Sequence, residues 1–334
     1  MFNKIYEIIK SFIKNNYKFI VLMIFIIFMF YYETPYMIYK SGGTINLDNR
    51  VIIDKEYKQD GSISMSYVTA MKGTPAFVLL SYIMPDWDLE KISDNNDKNY
   101  DETLKIGKEY LKEGIDNAII AAFNETNYGV NITRENIKVI FLSDKAKTDI
   151  KVGDVFLKIN DKEIKNFKDV KDYINGLKEN DKVNVHVKNK DKEYNRYAYV
   201  YKDEDNILKI GVAFHTTYEY TTDIPVKVNM KNNESGSSGG LMMSLQIYNA
   251  LTSEDITKGL KIVGTGSINA DGTAQEIGGV KYKVLAASKA KADVFFCPEE
   301  NYNDAINIKN KRKLKLDIIK VSSLKDVIDY LESK

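Results

Sequence analysis

The stretch Phe19–Tyr32, FIVLMIFIIFMFYY, constrains this chain more than any other feature. Nothing polar interrupts it, so as a helix it has no outer face to offer water in a soluble fold. A spanning helix needs ~20 apolar residues, and the flanks extend the run. Phe12 and Ile13 precede it, Tyr36-Met37-Ile38-Tyr39 follow Glu33, and Lys18 can snorkel. Lys4, Lys10, Lys14 and Lys18 all lie before the run, which predicts a cytoplasmic N-terminus and an extracytoplasmic body. A cleaved signal peptide needs small residues after the run; Tyr31-Tyr32-Glu33-Thr34-Pro35 supplies none. The expectation is an uncleaved, single-pass anchor in the cell membrane, residues 1–39, in contact with lipid.

A length of 334 residues makes two or three domains the natural expectation. The formal net charge of +1 argues against a nucleic-acid partner, which selects a basic face. With Cys297 as the single cysteine, an internal disulfide and a cysteine-rich zinc site are excluded. No metal site or cofactor is expected. The two histidines, His186 and His215, lie far apart in sequence, and a Ser-His-Asp triad would need one of them.

Residues 40–125 read as an α/β segment. Val51–Ile53 and the alternating Ser62–Val68 are strands, and Asp101–Phe123 is a helix with apolar positions at helical spacing. No chemical motif stands out there. Residues 126–203 read as a separate β-rich module. Val139–Leu142 is a strand, Gly153-Asp154 turns the chain into the strand that ends at Asn160-Asp161, and Asp169–Leu177 is a helix. This order resembles a PDZ domain. The resemblance implies capture of an extended peptide on a sheet edge, although no G-L-G-F-like run precedes Val139.

The chemistry concentrates in residues 204–334. Ser235-Gly236-Ser237-Ser238-Gly239-Gly240 runs from small residues into the apolar Leu241–Ile247. A nucleophilic serine suits this setting, because small neighbours admit a substrate backbone and a helix start offers unpaired amides. Further on come Gly264-Thr265-Gly266 and Gly278-Gly279-Val280-Lys281-Tyr282-Lys283, followed by Val284-Leu285-Ala286-Ala287. Together these stretches resemble the Lon protease family: G-x-S-x-G opening a helix, a T-G strand some 25 residues later, then G-G-x-K-x-K-x-x-A-A.

The resemblance implies a Ser-Lys dyad, with Ser238 as nucleophile and Lys283 as general base, Thr265 helping to hold the lysine, and the Gly236–Gly240 amides as oxyanion donors. Lys281 competes for the role of base. Two positions depart from the family pattern: Ser237 stands where proline is usual and Gly239 where alanine is usual. Ser237 also leaves a second serine beside Ser238. The chain lacks the G-x-x-x-x-G-K-[ST] loop of the ATPase module in soluble Lon proteases.

The expected fold class is α+β and multidomain: transmembrane helix, PDZ-like domain and Lon-type proteolytic α/β domain. The expected function is an ATP-independent, membrane-anchored serine endopeptidase acting on flexible or unfolded extracytoplasmic polypeptides. A homo-oligomer is compatible with the resemblance. The competing expectation is a catalytically impaired, peptide-binding envelope protein.

Overall fold

The computed structural model describes residues 2–54, 57, 59–92 and 100–334. Residues 93–99, inside the segment expected at 40–125, lie outside the described set. In chain order the elements begin with α1 (Phe2–Tyr31), β1 (Tyr36–Asn46), β2 (Val51–Ile53), β3 (Ser62–Lys72), α2 (Pro75–Ser81), β4 (Asp88–Lys91) and α3 (Tyr100–Asn124). Next come β5 (Val130–Leu142), β6 (Val155–Ile159), β7 (Lys162–Glu163), α4 (Phe167–Asn175), β8 (Lys182–Asn189), β9 (Lys192–Tyr199), β10 (Tyr201–Lys202), β11 (Leu208–Lys209), β12 (Val212–Thr222) and β13 (Val226–Val228). The last part holds α5 (Gly240–Leu251), β14 (Lys261–Gly264), β15 (Ser267–Ile268), β16 (Ala274–Gln275), α6 (Val280–Lys289), β17 (Val294–Pro298), α7 (Glu299–Arg312), β18 (Asp317–Val321) and α8 (Leu324–Glu332). They form two compact bodies, one of residues 1–43 and 67–97 and one of residues 44–66 and 98–334.

In the smaller body, α1 continues well before the apolar run, so its 30 residues span about 45 Å. Within it, Ile5–Tyr31 is long and apolar enough to cross a membrane, and its side chains face outward. Tyr36–Tyr39 of β1 pair antiparallel with Asp88–Lys91 of β4.

The larger body holds two large sheets beside three two-stranded ones among the described residues. The first is parallel, in the order β18-β17-β14-β3, with Lys261–Gly264 of β14 beside Ser62–Met65. Its central strands β14 and β17 are apolar on both faces, as a sheet covered by helices on each side requires. Ile262 and Phe296 share a core with α5 and α8, while Val263, Phe295 and Cys297 share one with α6 and α7. The second sheet has the order β12-β5-β6-β8-β9, with β7 paired to β6. It curls over α4, burying Phe156, Ile159, Val170, Ile174 and Val185. Asn166 caps α4 by accepting from the Asp169 amide at 2.9 Å. In the Gly153-Asp154 turn, Gly153 has φ +93° and the buried Asp154 carboxylate accepts from Lys151 N and Asn189 Nδ2.

Two features differ from the boundaries read in the sequence. The second sheet does not end near residue 203. β12 runs along almost the whole of β5, from Val212 opposite Leu142 to Thr222 opposite Val130. The segment before the PDZ-like part also contributes to the body that holds residues 224–334. β2 pairs with β13 and the start of β3 with β14, while α3 buries Ile119, Ala122 and Phe123 against Ile247 and Leu251 of α5. The second sheet is thus inserted, in sequence, between two parts of one α/β core.

Candidate active site

Chain direction brings the motif residues together. β14 and β17 are parallel neighbours, so the connecting α6 runs back along the sheet and begins at the carboxyl end of β14. α5 precedes β14 and also begins there, since Leu241 N donates to Gly266 O at 3.0 Å. The two helices cover opposite faces of the sheet. Ser238, just before α5, therefore lies against Thr265-Gly266 at the end of β14, and Lys283 lies one turn into α6.

Ser238 is half-buried in the turn that opens α5. Its carbonyl accepts from Thr265 Oγ1 at 3.0 Å and from Gly266 N at 2.8 Å. Thr265, fully buried, is held in turn by its amide donating to Phe296 O at 3.0 Å. Thr265 thus fixes the serine's backbone, and burial is what acts on the lysine. The Ser238 hydroxyl has no hydrogen-bond partner among the described residues, whereas Ser237 Oγ lies 2.7 Å from Ser267 Oγ. The neighbouring serine is therefore engaged, and Ser238 is the free hydroxyl. The Ser238 and Gly239 amides have no acceptor among the described residues, while Gly240 N donates to Ser237 O. Free amides at a helix start can bind a developing oxyanion.

Lys283 is 3% exposed, and burial alone pushes its amine down to about 8. Lys281 is partly exposed, with its Nζ 5.3 Å from the centroid of the Tyr282 ring. The turn into α6 is fixed from both sides. Gly279 adopts φ +71° at the helix cap, and the buried Asn301 side chain accepts from Ile277 N at 2.9 Å and donates to Ile277 O at 3.0 Å. Neither histidine hydrogen-bonds Ser238. His186 contacts Asn195 and Glu193 on the second sheet, and His215, pushed down to about 4 by burial, lies 3.5 Å from Glu109.

Several residues that hold this site carry no motif in the sequence. α3 lies under the serine loop. Gly236, at φ +90°, donates its amide to Gly107 O at 2.7 Å. A Cβ on Gly114 would sit 3.1 Å from Ser237 Cα, and one on Gly107 3.0 Å from Ser235 Cβ. Asn117 Nδ2 donates to Ile268 O at 2.9 Å. Isolated glycines inside a helical pattern signal such close approach, and their seven-residue spacing puts both on one face. Gly239 also has a structural reason: a Cβ there would meet Met65 Sδ at 2.3 Å. Met65 fills the space where the alanine usual in the Lon pattern would put its methyl.

Comparison with known proteins gives two domain matches. Residues 190–333 match the Lon protease (S16) C-terminal proteolytic domain, and residues 119–196 match the PDZ domain. Among curated relatives, the Lon protease of Aster yellows witches'-broom phytoplasma is 37% identical over 98 residues, 29% of this chain and 12% of that protein. The Lon protease of Halothermothrix orenii is 30% identical over 141 residues, 42% of this chain and 17% of that protein. Lon protease 1 of Bacillus subtilis is 28% identical over 134 residues, 40% of this chain and 16% of that protein. This chain thus spans less than a fifth of the length of these relatives. Among solved structures, the PDZ domain of the SdrC-like protein from Listeria monocytogenes covers 25% of this chain and 92% of its own, at 22% identity and a TM-score of 0.23. The chain carries a Lon protease (S16) C-terminal proteolytic domain together with a PDZ domain.

Proposed function

We propose that this chain is a membrane-anchored serine endopeptidase in which Ser238 is the nucleophile and Lys283 its general base. The observation that supports the reading is the buried Lys283 amine, held near 8 on α6, together with the free Ser238 hydroxyl just before α5. A lysine at its ordinary value near 10.5 is about 0.03% neutral at pH 7; at about 8 it is roughly 10% neutral. The neutral amine takes the Ser238 proton as the oxygen attacks a peptide carbonyl. The Ser238 and Gly239 amides receive the oxyanion, with Gly236 and Ser237 shaping the loop. The lysine then returns the proton to the leaving amine, and water, deprotonated in the same way, releases the acyl group.

The two departures from the Lon pattern leave these groups intact. Ser237 is tied to Ser267, and Gly239 makes room for Met65. The PDZ part fits polypeptide binding. β12 lies at the end of its sheet and opens on Gly211 at φ +74°, with Phe214 stacked edge-on to Phe156 at 4.8 Å. An extended peptide can add to the start of that edge, before Thr216, whose amide donates to Glu113. The lysines before the apolar run support a cytoplasmic N-terminus and a catalytic body outside the cell membrane. Substrates there are flexible or unfolded chains, cleaved without nucleotide.

The test uses the full chain in detergent with casein as an unstructured substrate. Ser238→Ala and Lys283→Met each lower turnover by more than about 10³-fold, as loss of a member of a catalytic unit does, while Ser237→Ala retains it. Undiminished cleavage by Ser238→Ala overturns the assignment.

A further inference from the structure

A cluster of exposed apolar side chains stands at the end of α1, where the membrane-anchor reading gives it a partner. α2 is followed by a tight turn in which Ile83 N and Met84 N both donate to Leu80 O at 3.0 Å and Trp87 N donates to Met84 O at 3.3 Å. Leu79 is 59% exposed, Tyr82 77%, Ile83 76% and Met84 40%. Single exposed apolar residues are ordinary. Four within six positions make a contiguous patch, which marks an interaction site.

The patch cannot drift from α1. The Phe77 ring on α2 meets Phe30, in the last turn of α1, edge-on at 6.1 Å. The segment leaving α1 is tied to the segment entering α2: Thr34 N and Oγ1 donate to Gly73 O at 2.8 and 2.7 Å, Gly73 N donates to Tyr36 O at 2.7 Å, and Lys72 pairs with Glu33 at 2.6 Å. On the far side, Ile92 N donates to Pro35 O at 3.0 Å. The level of the patch is therefore the level at which the apolar helix ends, at Tyr31. The chemistry suits that depth. Tyr31, Tyr32 and Tyr82 are exposed in the same body, and the Trp87 ring packs on Phe77 at 6.4 Å and under Lys40 Nζ at 4.5 Å. Tyrosine and tryptophan favour the membrane–water boundary, and lysine reaches outward from it.

We propose that Leu79 and the Tyr82–Met84 turn form a second membrane contact, a foot inserted into the headgroup–acyl boundary of the leaflet in which α1 ends. The proposal rests on α1 crossing the bilayer. With one helix alone, the small body can swivel about the anchor. The foot makes a second point of attachment and fixes its tilt.

Trp87 is the chain's single tryptophan, so a reporter can be moved without interference. The full chain carrying Ile83→Trp and Trp87→Phe is placed in phosphatidylcholine nanodiscs, with or without bromine on the acyl chains. Casein cleavage, which uses neither position, checks the fold. The expected result is loss of most Trp fluorescence in brominated discs, with little quenching by aqueous iodide. A chain retained in the discs whose reporter is quenched by iodide and spared by bromine overturns the foot and leaves the anchor standing. A reporter shielded from both quenchers also overturns it, because the patch then faces protein. A chain that fails to enter the discs overturns the anchor and the foot together.

Discussion

Replacing Lys283 by methionine should stabilise the protein while abolishing its activity. Burial holds the lysine at about 8, against 10.5 for an exposed one. The folded state thus binds the proton less tightly than the unfolded chain does. Below pH 8 that difference is fully expressed and costs about 3 kcal/mol. Between pH 8 and 10.5 the folded lysine is already neutral while the unfolded one still holds its proton, so the cost shrinks as pH rises. At pH 9.5 about 1 kcal/mol remains. Methionine fills nearly the same volume and carries no charge, so Lys283→Met removes the penalty without opening a large cavity. The gain in stability should be up to about 3 kcal/mol at pH 7 and about 1 kcal/mol at pH 9.5. Cys297 gives a local readout. It is the only cysteine, fully buried in β17, in the same core as Val284 and Ala287 of α6. Urea titrations at the two pH values, each followed by a jump to a common pH and a pulse of thiol reagent, give the unfolding midpoint of this core. A variant less stable than the wild type at pH 7, or a gain that is the same at both pH values, refutes the reasoning.

Casein cleavage by the wild type should rise with pH, with kcat/KM increasing about tenfold from pH 7 to a plateau above the lysine's value of about 8; a limb between pH 6 and 7 would point to a histidine instead. Gly239→Ala puts a methyl against Met65 Sδ, and such overpacking costs about 1–3 kcal/mol. Met65→Ala in the same chain should recover most of that loss, and a double-mutant cycle in which the two changes simply add contradicts the explanation for Gly239. Gly114→Ala presses on Ser237 Cα, a backbone atom that cannot swing aside, so kcat should fall about tenfold with KM little changed, since a 1 Å misplacement can cost up to about 100-fold. Gly107→Ala, whose tight contacts are with the Ser235 side chain and whose backbone contact, Gly236 N at 3.8 Å, is ordinary, should be milder, and equal losses from the two would show that backbone crowding is not the cause.

What could be read from the sequence is what is written locally. The helix opened by Ser238, the glycine turn before Lys283 and the apolar run of α1 each depend on residues within a few positions of one another. Pairings between distant segments were not legible. β12 joins β5 across some seventy residues, and β3 joins β14 across nearly two hundred; no local period records either partner. Alternation in Val212–Thr222 shows a strand but not which sheet receives it. That is why the boundary near 203 falls short of the sheet's last strand. Thr265 was legible as a site residue, while its partner was not: the hydroxyl reaches the Ser238 carbonyl, a contact made only when β14 meets the loop before α5. Nothing in the sequence assigned Gly107 and Gly114 a role, because the loop they make room for lies more than a hundred residues away.

α3 explains why the PDZ sheet and the proteolytic core form one body. At about 100° per residue, Gly107 and Gly114 fall on one face, and Glu109, Glu113 and Asp116 fall on the opposite one. The small face lies against the serine loop. The acidic face lies against the PDZ sheet: Glu109 pairs with Lys138 at 2.8 Å, Glu113 accepts from Thr216 N at 3.1 Å, and Asp116 accepts from Tyr220 Oη at 3.2 Å. Burial holds the Glu113 and Asp116 carboxyls above their ordinary range, so both depend on these donors. Removing the sheet would leave half-buried carboxylates without partners on the helix that supports Ser235–Ser237. The sheet is therefore not a detachable receptor beside the α/β core. It supplies one side of the packing that holds α3, and α3 in turn sets where the Ser238 loop sits.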